Sequence, residues 1–166
     1  MRIAIISDTH GNVKNFKRIV DWLNKEGISM ILHCGDIGDP DSLKESLIDF
    51  NGNFLGVLGN MDVDYAIDIE RYQDYPKIKV SESVFDIEID GKKIAVVHFP
   101  EIAEKLVESG NYDIVFYGHT HKPFKHKMDN CYLINPGNVA GIYYKPTFTV
   151  YDSKNDKLEL KILEKL

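Results

Sequence analysis

In the stretch FYGHTHKP, His119 and His121 stand one residue apart, directly after an apolar run. Paired imidazoles in that setting can face a common cation, and a cation needs further donors. The chain offers them in a recurring context. Ser7-Asp8-Thr9-His10 closes one apolar run, His33-Cys34-Gly35-Asp36 a second, Gly59-Asn60-Met61-Asp62 a third, and AVVH ends in His98. Taken singly, each has a structural explanation: Asp8 with Asn12 as a helix cap, Asp36 or Asp39 as a turn former, Asn60 as a left-handed turn residue, His98 as a satisfied core histidine. Seven placements at the ends of five apolar runs exceed what caps and turns require. Asp8, His10, Asp36, Asn60, His98, His119 and His121 are therefore read as one metal cage. Oxygen and imidazole donors suit manganese, iron, nickel, cobalt or zinc, and no cysteine fits the set, which argues against a structural zinc site. Seven donors exceed one ion's need once water and substrate are counted. Two ions sharing a carboxylate fit better, the arrangement that clamps both oxygens of a phosphoryl displacement.

The elements that must position these groups are legible from periodicity. RIAIIS, SMILHCGD and NFLGVLGN are short buried strands. Between them, Val13, Phe16, Ile19, Val20 and Leu23 recur at helical spacing up to Gly27, and DPDSLKESLIDFNG is a second helix with Pro40 near its start. The order β-α-β-α-β predicts a parallel sheet with right-handed crossovers, whose functional groups gather outside the carboxyl ends of the strands. SVFDIEIDGKKIAVVHF alternates around Asp90-Gly91 and predicts a hairpin. EIAEKLVESG is a short helix and YDIVFYG a buried strand. FKHKMDNCYLINPG, PTFTVYD and KLELKILE read as mostly antiparallel strands. MDVDYAIDIERYQDYPK has no clear period and is read as a solvated connection.

With 166 residues, the chain suits a single domain spanning 1–166 with a real core. A net charge of −6 disfavours stable nucleic-acid binding, which needs a basic surface, but leaves room for a small phosphate-bearing substrate held by metal. Cys34 and Cys131 lie far apart without metal spacing, which points to a reducing compartment. The stretch before the first acid is too short for a signal peptide or a membrane span, so a cytoplasmic location without membrane association is expected. Lys122, Lys125, His126 and Lys127 follow the paired histidines; they are read as a solvated strand edge rather than a phosphate-steering patch. His33 and Cys34 are read as packing residues.

DTHGN, GDIGD, GNMD, VVH and GHTH, in this order, resemble the motifs of the calcineurin-like metallophosphoesterase superfamily, and the short chain with INPGN is most similar to its small single-domain bacterial and archaeal phosphodiesterases. The resemblance covers Asp8 to about Gly137. It implies an α/β fold, a four-layer α-β-β-α sandwich of two mixed sheets packed face to face with helices outside. It implies that Asp8, His10 and His121 hold one ion and Asn60, His98 and His119 the other, with Asp36 bridging. Asp39 and Asp62 match acids that orient the ligands, and Asn12 and Asn60 match residues at the substrate. The reaction implied is in-line attack on a phosphodiester by a hydroxide bridging two divalent ions, Mn2+ or Ni2+ first among them. Asp36, Asn60 and His98 would act through that hydroxide and the phosphate.

Three positions depart from the family pattern. Met61 stands where larger phosphatases carry a histidine that helps protonate the leaving group. Phe99 replaces a usual glycine, and Asn138 a frequent serine. Competing expectations are a scaffold resembling the retromer subunit of this fold, which has lost part of the ligand set, and a phosphomonoesterase or nucleotide phosphatase. The complete donor set favours an enzyme, and Met61 disfavours monoester work. The expected partner is a small phosphodiester, with nucleotides among the candidates; a homodimer is expected from the frequency of that symmetry.

Overall fold

The computed structural model describes residues 1–64, 69–72 and 75–166. Strand β1 (Arg2–Ile6) leads through helix α1 (Val13–Lys25) to β2 (Met30–His33), then through α2 (Pro40–Leu47) to β3 (Asn53–Val57). Two short helices, α3 (Asn60–Asp64) and α4 (Ile69–Tyr72), precede β4 (Ile78–Ser81). The hairpin of β5 (Val84–Ile89) and β6 (Lys92–Val97) is followed by α5 (Pro100–Glu108), β7 (Ile114–Phe116), β8 (Phe124–Met128), β9 (Cys131–Asn135), β10 (Thr147–Asp152) and β11 (Lys157–Ile162). One sheet runs β11-β10-β1-β2-β3-β4 and the other β5-β6-β7-β9-β8.

Both sheets are mixed. β1, β2, β3 and β4 are mutually parallel, and β10 and β11 continue that sheet antiparallel. In the second sheet β6, β7 and β9 are parallel, flanked by antiparallel β5 and β8. Alternate residues of β1 show why the sheets stack. Ala4 and Ile6 pack outward with Phe16, Ile19 and Leu23 of α1 and Leu43 of α2. Ile3 and Ile5 face inward, onto Val96, Phe116 and Ile134 of the other sheet. On the far side, Ala95, Val97 and Val115 pack against Ala103 and Val107 of α5. The layers are thus α-β-β-α.

The helices start where their side chains satisfy orphan amides. Asn12 accepts from the Asn15 amide at the head of α1, and Asp39 accepts from the Asp41 and Ser42 amides at the head of α2, with Pro40 in its first turn. The expectation of an irregular connection over 61–77 is corrected in part. Residues 65–68 and 73–74 lie outside the described residues, but α3 and α4 are regular. Tyr72 of α4 is fully buried and donates its hydroxyl proton to the Gly38 carbonyl, pinning this segment to the loop after β2. The C-terminal strands are mostly antiparallel, as expected, with one parallel pairing of β9 on β7. No helix among the described residues is long and apolar enough to cross a membrane.

Candidate metal centre

The turns after β1, β2, β3, β6 and β7 converge at one end of the two sheets. Asp8, His10, Asp36, His119 and His121 all have positive φ, between 46° and 66°. Non-glycine residues pay for that conformation, and several in one place mark a site whose surroundings hold the backbone fixed. Two glycines permit the crowding. A Cβ on Gly59 would collide with the Asp36 carboxylate, and one on Gly118 with Ser7 Oγ, the Cys34 carbonyl and Asp8 Oδ2.

The first set of donors comprises Asp8, His10, Asp36 and His121, each offering one atom within 4.8 Å of all the others. His10 Nε2 and His121 Nε2 are 3.2 Å apart, Asp8 Oδ1 is 3.2 Å from His121 Nε2, and Asp36 Oδ2 is 3.7 Å from His10 Nε2. Donors around one ion with bonds of about 2.0–2.2 Å sit roughly 3–3.5 Å apart, so the spacing fits. Asp8 Oδ1 and His121 Nδ1 are buried with no well-directed hydrogen-bond partner among the described residues. A buried carboxylate oxygen without one is costly, and a cation removes the cost. Burial alone would push the Asp8 carboxyl up; the His121 imidazole 3.2 Å away, with His98 and Ser7, outweighs it and holds the group below its usual range. Reciprocally, Asp8 raises His121.

The second set comprises Asn60, His98 and His119. Asn60 Oδ1 lies 3.0 Å from His98 Nε2 and 3.0 Å from His119 Nδ1. His98 Nδ1 is 2.8 Å from the Cys34 carbonyl, which can only accept, so Nδ1 carries the ring proton and Nε2 presents a lone pair. A lone pair on nitrogen facing a carbonyl oxygen is tolerable when a cation lies between. Asp36 reaches both sets, with Oδ2 toward His10 and Oδ1 3.5 Å from His98 Nε2, while Oδ1 also accepts the Met61 amide. Each set draws on both sheets: Asp8 and His10 meet His121, and Asn60 meets His98 and His119.

All seven expected donors are thus brought together, and two of the expected helpers cap helices. Asp39 is exposed, and its carboxylate takes the Ser42 hydroxyl and the Asp41 and Ser42 amides, capping α2. Asn12 spends its oxygen on the α1 cap and donates to the Ala140 carbonyl. Asp62 does hold the site. It is fully buried and accepts from the Ile37, Gly38 and Gly59 amides, joining the turn after β2 to the turn after β3.

Three positioning residues escaped the sequence reading. Asn135 donates to the Gly118 carbonyl and to Thr120 Oγ1, holding the turn that carries His119 and His121. Asn138, buried, donates to the His121 carbonyl and accepts the Gly141 and Ile142 amides, so it docks the 138–142 loop on that turn. INPGN contains both, but in the sequence it marks only a family resemblance, with Asn138 a departure from the frequent serine. Lys125 and Lys127 stack on Tyr132 of the neighbouring strand, as edge-strand residues do.

His33 is the third, and not a mere packing residue. The Gly35 amide donates to its Nδ1, so Nε2 carries the proton and donates to Thr9 Oγ1 at 2.6 Å. Both nitrogens of the neutral ring are used, and complete burial lowers its pKa to about 3. The folded pKa lies below the unfolded value of about 6.5, so stability is complete above pH 6.5 and is lost as pH falls from there toward 3. The full loss is on the order of 4 kcal/mol. Urea unfolding between pH 7 and pH 4 is expected to give a flatter pH dependence for His33→Gln than for the parent; equal slopes would exclude His33 as the source.

With this geometry established, the comparisons with known proteins are decisive. The profile of the calcineurin-like phosphoesterase superfamily domain matches residues 1–156. The chain belongs to the calcineurin-like phosphoesterase superfamily. A phosphodiesterase of Methanocaldococcus jannaschii is 30% identical to this chain over 99% of it and 100% of the relative. The solved structure of an archaeal phosphodiesterase superposes with a TM-score of 0.87 at 29% identity, covering 98% of this chain and 99% of that one. Vps29 of Entamoeba histolytica, solved with zinc, shares the fold with a TM-score of 0.67 at 19% identity, over 98% and 99% of the two chains. Calcineurin-like phosphoesterases use divalent metal ions, and this chain presents a cluster able to hold one.

Proposed function

We propose that the chain is a dinuclear-metal phosphodiesterase that cleaves small phosphodiesters by in-line attack at phosphorus. The supporting observation is the reach of Asp36 to both donor sets, His10 on one side and His98 on the other. Asp8, His10 and His121 would hold one ion and Asn60, His98 and His119 the second. Manganese or nickel suits these oxygen and imidazole donors best, and iron, cobalt or zinc is compatible. Bound there, the ions would supply charge neutralisation at the phosphoryl oxygens and an activated water.

The chain's own residues supply the rigidity. Cys34 fixes the tautomer of His98, Asn135 and Asn138 hold the His119–His121 turn, and Asp62 locks the two turns that carry Asp36 and Asn60. A scaffold of the same fold would leave these converging donors without use. The direct test is to strip the protein with a chelator, reload single ions, and assay a panel of phosphate mono- and diesters. Activity restored on diesters by a transition metal supports the reading; no turnover with any ion overturns it.

Met61 sharpens the substrate preference, because methionine donates no proton to a departing alkoxide. A diester losing nitrophenolate needs little such help. Positioned acids contribute about 10²–10⁴-fold. Met61→His is expected to raise turnover of substrates with poor leaving groups and to leave activated diesters little changed. A leaving-group series on both proteins reads this as a change of slope, and identical slopes would remove Met61 as the cause.

A further inference from the structure

Beside the second donor set, a cleft of about 250 Å³ opens between Leu58, Phe99 and Ile102, with Glu82 at its rim and Asn60 and His98 at its inner end. Its size is informative. Sites that enclose a drug-sized ligand run to roughly 300–1,000 Å³, so this cleft suits one arm of a small substrate. Its walls are apolar. The Phe99 ring meets His98 edge-on at 4.9 Å and lies 5.3 Å from His119, so its position is fixed by the metal-facing imidazoles. Phe99 stands at the head of α5, half-buried, and its ring also lines the cleft. Glu82, exposed in the loop that passes from one sheet to the other, places a negative charge at the entrance.

We propose that this cleft receives the ester arm that stays on phosphorus, and that it selects a neutral, planar aromatic arm over a small alkyl or an anionic one. The inference rests on the phosphodiesterase reading for its catalytic consequence, but the cleft's preference for an arm can be measured without turnover. A phosphodiester carries one negative charge at phosphorus and two ester arms. With phosphorus at the donors, an arm directed along His98 passes Phe99 and meets Leu58 and Ile102. An aryl group there leaves water and packs edge or face against Phe99. An arm bearing a further phosphate or carboxylate meets Glu82 instead.

The test uses the metal-loaded protein and two pairs of probes. Methyl and phenyl 4-nitrophenyl phosphate share a leaving group and differ only in the retained arm. Dimethylphosphinate and methyl(phenyl)phosphinate are monoanions without an ester bond, and calorimetry reads their binding directly. The phenyl member is expected to be favoured about tenfold in kcat/KM and in Kd. Ile102→Trp, which fills the cleft, is expected to abolish that preference in both measurements. Glu82→Lys, at an exposed position that does not threaten folding, is expected to improve binding of methyl(4-carboxyphenyl)phosphinate relative to the phenyl compound by up to about fivefold. Equal binding of the methyl and phenyl phosphinates, or a preference untouched by both substitutions, would overturn the inference. Phosphinate discrimination without hydrolysis of either diester would retain the cleft and reject the diesterase reading; hydrolysis of both diesters at equal kcat/KM would do the reverse.

Discussion

Asp36→Asn is expected to lower kcat/KM on activated diesters by on the order of 10³-fold or more, the largest loss of any single donor change. The substitution keeps an oxygen for the Met61 amide but removes the charge that faces both His10 and His98. Its effect should therefore extend to both ions. Elemental analysis after reloading is expected to find about two ions per parent chain and a clear deficit in Asp36→Asn. Asn60→Ala, which touches only the second set, is expected to lose mainly one ion. A parent stoichiometry that never exceeds one, or near-normal turnover by Asp36→Asn, would reject the bridging assignment.

Asp62→Ala is expected to be among the most destabilising changes in the described part of the chain. Its carboxylate is the acceptor for the Ile37, Gly38 and Gly59 amides, in a position without solvent access. Each buried amide left without a partner costs about 1–3 kcal/mol, so a total of about 3–5 kcal/mol is expected after some water enters. Asp62→Asn, which retains one acceptor, should fall between. Burial raises the Asp62 carboxyl, so the cost of keeping it ionised is already borne by the folded protein. Because the two turns it joins carry Asp36 and Asn60, ion affinity should fall together with stability, by about 10–100-fold. Chemical unfolding of the metal-free protein and ion titration of the folded one measure the two effects separately. Full stability with intact ion binding in Asp62→Ala would show that other contacts hold these turns.

The first half of the chain was readable because its strands are buried on both faces and appear as unbroken apolar runs, while α1 and α2 present an apolar stripe of regular period. The donors were readable because each closes such a run. What escaped had no period to read. α3 and α4 have five and four residues, little more than one turn each, and β4 has four. The parallel pairing of β7 with β9 depends on which strands the core brings together, a tertiary choice. Asn12 and Asp39 illustrate a different difficulty. The side chains that cap helices are also those that hold metal ions, and position next to a ligand does not separate the two roles. Asn135 and Asn138 reach back 17 residues to the carbonyls of Gly118 and His121, and His33 joins the nearby Gly35 amide to the Thr9 hydroxyl 24 residues away; no local pattern records such pairings.

The division of each donor set between the two sheets has a mechanical consequence. Asp8, His10, Asp36 and Asn60 ride on the layer of β1, β2 and β3, and His98, His119 and His121 on the layer of β6 and β7, with Leu32, Val57, Val96, Phe116 and Tyr151 in the spacer between them. Sliding one layer past the other by a fraction of an ångström misaligns donors that no substitution has touched. Ion affinity thereby becomes a gauge of shear within the sandwich. A volume change in the spacer, whose side chains are none of the seven donors, would register as weaker ion binding before it registered as lost secondary structure, and bound ions would in turn clamp the layers against slip.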